Sequence, residues 1–148
     1  MRLTIHAIPA SANTYTRHTR SGQHYKCSEA IAFEHAAALA FQQQKPEPLP
    51  RGENIRYAMC YTVYLGKGRH PDLSNCEKQI GDCLQDVYSG TGKRRILVER
   101  RLIDRDSKID HICAHRYRDN ANPRTEIEIV VKRIDPYHVT DHQSDDPF

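Results

Sequence analysis

The most constraining feature of this chain is the stretch 69–82, where a β-patterned segment ends and a helical pattern begins. Pro71 favours a turn, and Ser74 is a good N-cap because its hydroxyl can accept a backbone N–H at the start of a helix. After Ser74, apolar residues recur at helical spacing and predict one buried stripe. They are Cys76, Ile80, Cys83, Leu84 and Val87.

The other side of this predicted helix is polar. Asn75, Lys78 and Asp82 recur at a spacing that places them on one face, and Asp72 lies just before the helix. Asp82 would either orient Lys78 by an ion pair or add a carboxylate behind the residues that contact the ligand. Because a helix N-terminus favours anions such as phosphate, these residues form a candidate anion-binding site.

The periodicity of the rest of the chain predicts an α+β fold, with a mixed β-sheet and two main helices. An Ala-rich helix is expected over 28–44, with an apolar line of Ala30, Phe33, Ala37 and Phe41. The strands are expected at 2–8, 55–65, 109–117 and 125–134, whereas 9–26 is expected to be irregular. At 148 residues the chain suits one domain, which we assign to 1–135, followed by a flexible tail at 136–148.

Two blocks of the sequence carry a resemblance to a known family. Residues 72–75 read Asp-Leu-Ser-Asn and are followed by Lys78 and Asp82; they resemble the Asp-Leu-Asp-Asn-x-x-Lys signature and helical Asp of RusA-type Holliday junction resolvases. Residues 102–109 resemble the family's apolar-Asp-Asp-x-Gln-apolar segment, with Asp106 in the place of its last catalytic aspartate.

A third block lies near the N-terminus. Residues 8–13, Ile-Pro-Ala-Ser-Ala-Asn, together with Arg17, resemble the family's Pro-Pro-Ser-x-Asn and following Arg. The resemblance implies a homodimeric, Mg²⁺-dependent endodeoxyribonuclease (Mn²⁺ as a second candidate) that resolves four-way DNA junctions by paired phosphodiester hydrolysis. It also suggests a recombination or repair role in a bacterium or a phage.

The resemblance implies roles for individual residues. Asp72 and Asp106 would hold the metal, and Lys78 would stabilise charge in the transition state. The two aspartates can meet if the strands next to them are neighbours. The residues expected to contact DNA are Asn13, Arg17, Arg20, Lys67, Arg69 and Asn75. Residues 1–70 hold nine Lys/Arg against four Asp/Glu, which agrees with phosphate contact in the first half of the chain.

Ser74 departs from the family pattern, because it stands where the family has its second catalytic aspartate. A hydroxyl is a weaker Mg²⁺ ligand than a carboxylate. Asp104 or Asp82 is expected to supply the missing charge, Asp104 because it lies two positions before Asp106 and would share its face on an extended segment. The alternatives are weak metal binding with poor activity, or a protein that binds junctions and has lost cleavage.

The cysteines give a further interpretation. There are five, with no Cys-x-x-Cys pair, which favours reduced thiols and a cytoplasmic protein. His111, Cys113 and His115 would share one face of a strand, and imidazole with thiolate suits Zn²⁺. A zinc-stabilised nucleic-acid-binding module is therefore a third hypothesis, against the plainer interpretation of exposed histidines beside a half-buried cysteine. No apolar run is long enough for a membrane span, so we expect no membrane partner.

Overall fold

The computed structural model describes residues 1–18, 24–68 and 70–133 of the chain. Its largest feature is a four-stranded sheet in the order β1-β8-β4-β7, and two short hairpins lie outside this sheet. The strands are β1 (Arg2–Ile5), β2 (Thr16–His18), β3 (His24–Lys26), β4 (Ile55–Leu65), β5 (Val87–Ser89), β6 (Ile96–Glu99), β7 (Ile109–Arg118) and β8 (Arg124–Arg133). The helices are α1 (Ala12–Tyr15), α2 (Ser28–Gln44) and α3 (Glu77–Leu84).

The four-stranded sheet is mixed, as the sequence predicts. β8 pairs antiparallel with β1 and with β4, whereas β4 pairs parallel with β7. The α+β class and the two main helices, α2 and α3, are thereby confirmed. A segment of 43 or so residues joins β4 to β7, which is ample for the crossover that a parallel pair requires.

The sheet has one buried face and one open face. Along β4 the odd-numbered residues are buried, and Met59, Tyr61 and Val63 belong to a core cluster that includes side chains of both α2 and α3. The even-numbered residues Cys60 and Thr62 are only half-buried and point to the opposite side. We call these the core face and the outer face of the sheet. Within the described residues, the two main helices both pack on the core face.

Helix α2 begins and ends with identifiable caps. The Cys27 side chain accepts a hydrogen bond from the Ala30 backbone N–H at 3.4 Å, and Lys45 takes a left-handed conformation with its N–H bonded to the Phe41 carbonyl. The predicted boundaries of this helix are confirmed. Its buried line contains Ala40, whereas Phe41 is only half-buried against the core.

The second main helix starts later than predicted. Leu73–Asn75 form a 3₁₀ turn, and α3 begins only at Glu77, so Ser74 is not its N-cap. Ser74 lies inside the turn and is exposed. The helix also ends at Leu84 because Val87 enters β5. The buried stripe of Cys76, Ile80, Cys83 and Leu84 is confirmed, without Val87.

The N-terminal region is more ordered than predicted. β1 ends at Ile5, since the chain turns at 6–7 and Pro9 follows. The stretch 9–26, expected to be irregular, contains α1 and the β2–β3 hairpin. No described helix has the length and the hydropathy that a membrane crossing requires. The expected tail, 136–148, lies outside the described residues.

Candidate functional site

A large cavity of about 830 Å³ opens where the N-terminal segment meets the approach to α3. Ser11 and Asn13 line one side of it, and Asp72 and Asn75 line the other. Residues of two sequence blocks that are about sixty positions apart therefore share one cavity. The remaining lining residues are Ile8, Pro9, Ala10, Glu29, His70 and Pro71.

A buried glutamine holds the two sides of the large cavity together. Gln79 of α3 is 1% exposed; its Oε1 accepts the Ala10 backbone N–H at 2.6 Å, and its Nε2 donates to the Ala30 carbonyl at 2.7 Å. One side chain thus ties the N-terminal segment, α2 and α3 together. Because unpaired buried polar groups are costly, these two bonds strongly favour this one arrangement of the three segments.

Asp72 is exposed at the rim of the large cavity. It precedes the 3₁₀ turn in an extended conformation, and its side chain makes no capping hydrogen bond. No hydrogen bond or ion pair joins its carboxylate to another described residue, so its oxygens can face a ligand. Burial, and then the neighbouring Asp72 charge, raise the pKa of Cys76 to about 11, which keeps that thiol neutral.

A small cavity of about 90 Å³ lies further along the same helix. Its polar lining consists of Glu77 and Lys78 of α3 and of Asp106, and Met59, Gly81, Ile109 and Ile112 complete it. A Cβ atom added at Gly81 would stand 3.4 Å from the Asp106 Cβ, so α3 lies directly against Asp106. The structure thereby brings Lys78 and Asp106, predicted from two different blocks, into one small space.

The ion pair predicted on α3 is present. Lys78 Nζ lies 3.3 Å from Asp82 Oδ2, with the lysine side chain 62% exposed and the aspartate 23% exposed. An exposed pair of this spacing stabilises a helix by only about 0.3–0.5 kcal/mol. Its main consequence is to orient the Lys78 ammonium.

Asp72 and Asp106 line different cavities even though β4 and β7 are neighbouring strands, which was the condition for the two aspartates to meet. Asp72 follows the end of β4, and Asp106 precedes the start of β7. Because the two strands run parallel, these points belong to opposite ends of the strand pair. The 3₁₀ turn before helix α3 lines the large cavity with Asn75, and α3 itself lines the small cavity with Glu77 and Lys78.

Asp104 is not placed as the sequence led us to expect. Arg105, between the two aspartates, is extended, but Asp106 already belongs to a 3₁₀ turn that runs to Lys108. The Asp104 carboxylate accepts hydrogen bonds from Lys108 Nζ at 2.6 Å and from the Tyr57 hydroxyl at 3.2 Å. Burial raises the pKa of Asp104, but these partners outweigh it and lower the pKa below its ordinary value. The geometry therefore indicates that Asp104 stabilises the fold through its bonds to Lys108 and Tyr57.

The predicted DNA-contacting residues are only partly described. Asn13 and Asn75 line the large cavity, and Lys67 is exposed after β4. Arg17 lies in β2, but its side chain is not described, and Arg20 and Arg69 are outside the described residues.

Several residues of these cavities were not predicted. Glu29 and His70 line the large cavity and Glu77 lines the small one. His70 Nε2 lies 2.8 Å from the Gly66 carbonyl oxygen. Glu77 has a signal in the sequence, since it directly precedes Lys78 at the start of the helix; Glu29 and Gln79 have none without knowledge of the packing.

A second polar cluster lies on the outer face. The ligand atoms of Cys60, Cys113 and His115 all lie within 4.8 Å of one another. His111 shares the outer face with Cys113 and His115, as predicted. It lies opposite Ala58 of β4, however, and is not a member of the cluster. The third member is Cys60. The missed residue comes from β4, so only the pairing of β4 with β7 reveals it. All five cysteines are free thiols.

The fold and the two cavities thus define an α+β protein with a mixed sheet, in which carboxylates, a lysine and amides line two cavities near α3 and the turn that precedes it. No protein-family model matches this chain, and no curated protein matches it significantly.

Proposed function

We propose that this protein is a RusA-like, metal-dependent endodeoxyribonuclease that acts on four-way DNA junctions as a homodimer. One observation carries the proposal: residues from all three sequence blocks that resemble the family line the two cavities along residues 71–81. The blocks are distant in the sequence, and an accidental likeness would give no reason for them to converge on one short stretch of the chain.

The donor atoms of the two cavities fit a hard cation. Mg²⁺ takes oxygen ligands and is commonly held by one or two carboxylates together with substrate phosphates. Asp106 and Glu77 line the same small cavity, and Asp72 has a carboxylate without a described partner at the large one. Asp106 and Glu77 would hold the metal at the small cavity, and Asp72 would offer a separate carboxylate ligand at the large one. A bound metal would supply an activated water and neutralise the developing phosphate charge.

The protein's own groups provide the rest of the chemistry. Lys78 projects beside Asp106, held by Asp82, where its ammonium would stabilise negative charge on a phosphate under attack. Asn13 and Asn75 offer amide donors for the DNA backbone along the large cavity. In a homodimer, two such sites related by a two-fold axis would match the symmetry of a four-way junction and cut paired strands.

A second candidate function is junction binding without cleavage. Two observations favour it: Ser74 is an exposed hydroxyl in place of a family carboxylate, and Asp72 and Asp106 line separate cavities. Such a protein would use the same cavities to hold DNA and would not assemble a competent metal site.

Cleavage of a synthetic four-way junction, with Mg²⁺ or with Mn²⁺, tests the proposal. We expect paired, symmetric nicks by the wild type and their loss in Asp72→Asn and in Asp106→Asn. Asp110→Asn is the matched control, since Asp110 is exposed, lines neither cavity and forms an ion pair with Lys132 at 3.8 Å.

The same experiment separates the two candidates. Tight junction binding with no cutting by the wild type would contradict the nuclease proposal and favour the silent binder. Recovery of cutting in Ser74→Asp would then identify a nuclease fold that lacks one ligand. Absence of both binding and cutting would exclude both functions.

A further inference from the structure

The outer face of the sheet carries a cluster that the proposed nuclease chemistry does not use. Cys60 of β4 and Cys113 of β7 are direct partners in the parallel pair, so their side chains leave the sheet side by side on the same face. Two hydrogen-bonded strands hold their backbones. The proximity of these thiols therefore follows from the sheet itself and does not depend on a loop.

His115 completes the cluster from the same strand. It lies two residues beyond Cys113, hence on the same face, and its Nε2 is 3.1 Å from the Cys113 Sγ. The three ligand atoms lie within 4.8 Å of one another. Tetrahedral zinc with bonds of about 2.3 Å to sulfur and 2.0–2.1 Å to nitrogen places its ligand atoms roughly 3.5–3.8 Å apart. Small side-chain adjustments therefore bring this cluster to zinc geometry.

The identity of the ligands selects the metal. Thiolates and imidazole favour Zn²⁺ over Mg²⁺, which prefers oxygen. Cys60 and Cys113 are half-buried, whereas His115 is exposed, so an ion can enter from solvent and remain partly shielded. Glu128 of β8 lies directly opposite Cys60 and is held by an exposed ion pair with Arg2, and it can approach the ion from the other neighbouring strand.

We propose that Cys60, Cys113 and His115 bind one Zn²⁺ ion on the outer face and thereby cross-link β4 to β7, with the fourth position taken by water. On binding, the two thiols release their protons to solvent and bind as thiolates. Because β7 is an edge strand that β4 alone pairs within the described sheet, the ion would stabilise a strand that is open to fraying on one side.

Metal binding to the full chain tests the site. Protein purified with a thiol reductant and stripped of metal is titrated with Zn²⁺, and separately with Co²⁺ as a spectroscopic probe. We expect one Zn²⁺ per chain, a raised unfolding temperature, and a thiolate-to-cobalt charge-transfer band with tetrahedral visible absorption. Cys60→Ser, Cys113→Ser and His115→Asn should each weaken Zn²⁺ binding at least tenfold.

Cys27→Ser is the matched control. Cys27 lies outside the cluster and caps α2, and serine is a preferred N-cap residue, so this variant should fold and bind Zn²⁺ like the wild type. The cobalt spectrum of the wild type does not depend on any variant folding. Absence of the charge-transfer band, or unchanged Zn²⁺ affinity in both cysteine variants of the cluster, would overturn the proposal.

A disulfide between Cys60 and Cys113 is the competing outcome, since adjacent strand residues approach closely enough for one. Thiol titration measures it after the protein has been stored with one equivalent of Zn²⁺ and without reductant, and then unfolded in the presence of a chelator. Retention of all five thiols agrees with the zinc site, whereas loss of two thiols and restoration by reductant would overturn it.

Discussion

The two faces of the four-stranded sheet carry different chemistry, and the structure explains the difference. The core face is covered by α2 and α3, and its functional groups are oxygen and ammonium groups supplied by turns and helix ends, such as Asp72, Lys78 and Asp106. The outer face has no helix over it in the described part of the chain, and its cluster of Cys60 and Cys113 comes directly from paired strands.

The contrast shows how each kind of site depends on the fold. On the core face, residues from three segments meet where a buried side chain of α3, Gln79, bonds to the backbone of the other two segments. On the outer face, the pairing register of β4 with β7 is enough to bring the two cysteines together. We therefore expect the cavities to be sensitive to changes in packing, and the thiol cluster to tolerate them as long as β4 and β7 remain paired.

The largest effect should come from Lys78→Ala on the core side. Removal of a group that stabilises transition-state charge typically lowers a rate by about 10²–10³-fold, and we expect that loss in junction cleavage with junction affinity largely kept. Single-turnover cleavage and a binding assay measure the two quantities. Lys132→Ala, on β8, is the control and should cut at the wild-type rate. Equal rates for both variants would remove Lys78 from the chemistry.

The next largest effect should come from Gln79, which joins the N-terminal segment, α2 and α3. Gln79→Ala leaves the Ala10 N–H and the Ala30 carbonyl buried without partners, and we expect a loss of roughly 2–4 kcal/mol in the free energy of unfolding. Urea unfolding measures it. Gln44 is a matched control, because its amide also bonds both backbone groups of one residue, Thr4, but at an exposed position.

We expect Gln44→Ala to cost less than about 1.5 kcal/mol, since water can replace its bonds. Similar losses of unfolding free energy in the two variants would contradict the claim that burial makes the bonds of Gln79 more important than those of Gln44. Junction affinity should also fall in Gln79→Ala, because the N-terminal side of the large cavity is released from α3.

A variant of Asp104 tests whether this carboxylate stabilises the fold or binds the metal. Its lowered pKa means that it stabilises the folded state above its unfolded pKa of about 3.9, and that this contribution is lost as the pH falls through the lower folded value. Asp104→Asn should therefore cost about 1–3 kcal/mol at neutral pH and progressively less in acid. Urea unfolding across pH measures this, and cleavage at neutral pH should remain. Loss of cleavage in a stably folded variant would make Asp104 part of the site.

The sequence predicted much of this molecule because local patterns determine much of it. Period-two alternation located β4, and helical spacing located α2 and the buried stripe of α3. The start of α3 was wrong because Ser74 has the chemistry of a cap, yet the chain first forms a 3₁₀ turn over Leu73–Asn75. Local propensity cannot tell these two outcomes apart.

Features that depend on contacts between distant parts of the chain could not be predicted from local sequence patterns. Nothing in the sequence of β4 or β7 shows that they pair in parallel, and this direction assigns Asp72 and Asp106 to different cavities. The same pairing places Cys60 beside Cys113. Gln79 looks like an ordinary polar helix residue until its two backbone partners are known.

The smallest expected effect tests the independence of the two faces. Lys78 and Cys113 lie on opposite sides of the sheet, and changes that are well separated and share no partner usually add within about 0.3–0.5 kcal/mol. The stabilisation by Zn²⁺ should therefore be the same in the wild type and in Lys78→Ala, and Cys113→Ser should cleave junctions at the wild-type rate. The coupling is measured in a double-mutant cycle of the wild type, Lys78→Ala, Cys113→Ser and the double variant. Each protein is unfolded with and without Zn²⁺ and is assayed for junction cleavage. A coupling above about 1 kcal/mol would mean that β7 transmits the state of the outer face to the Asp106 turn that precedes it, and the two faces would then form one functional unit.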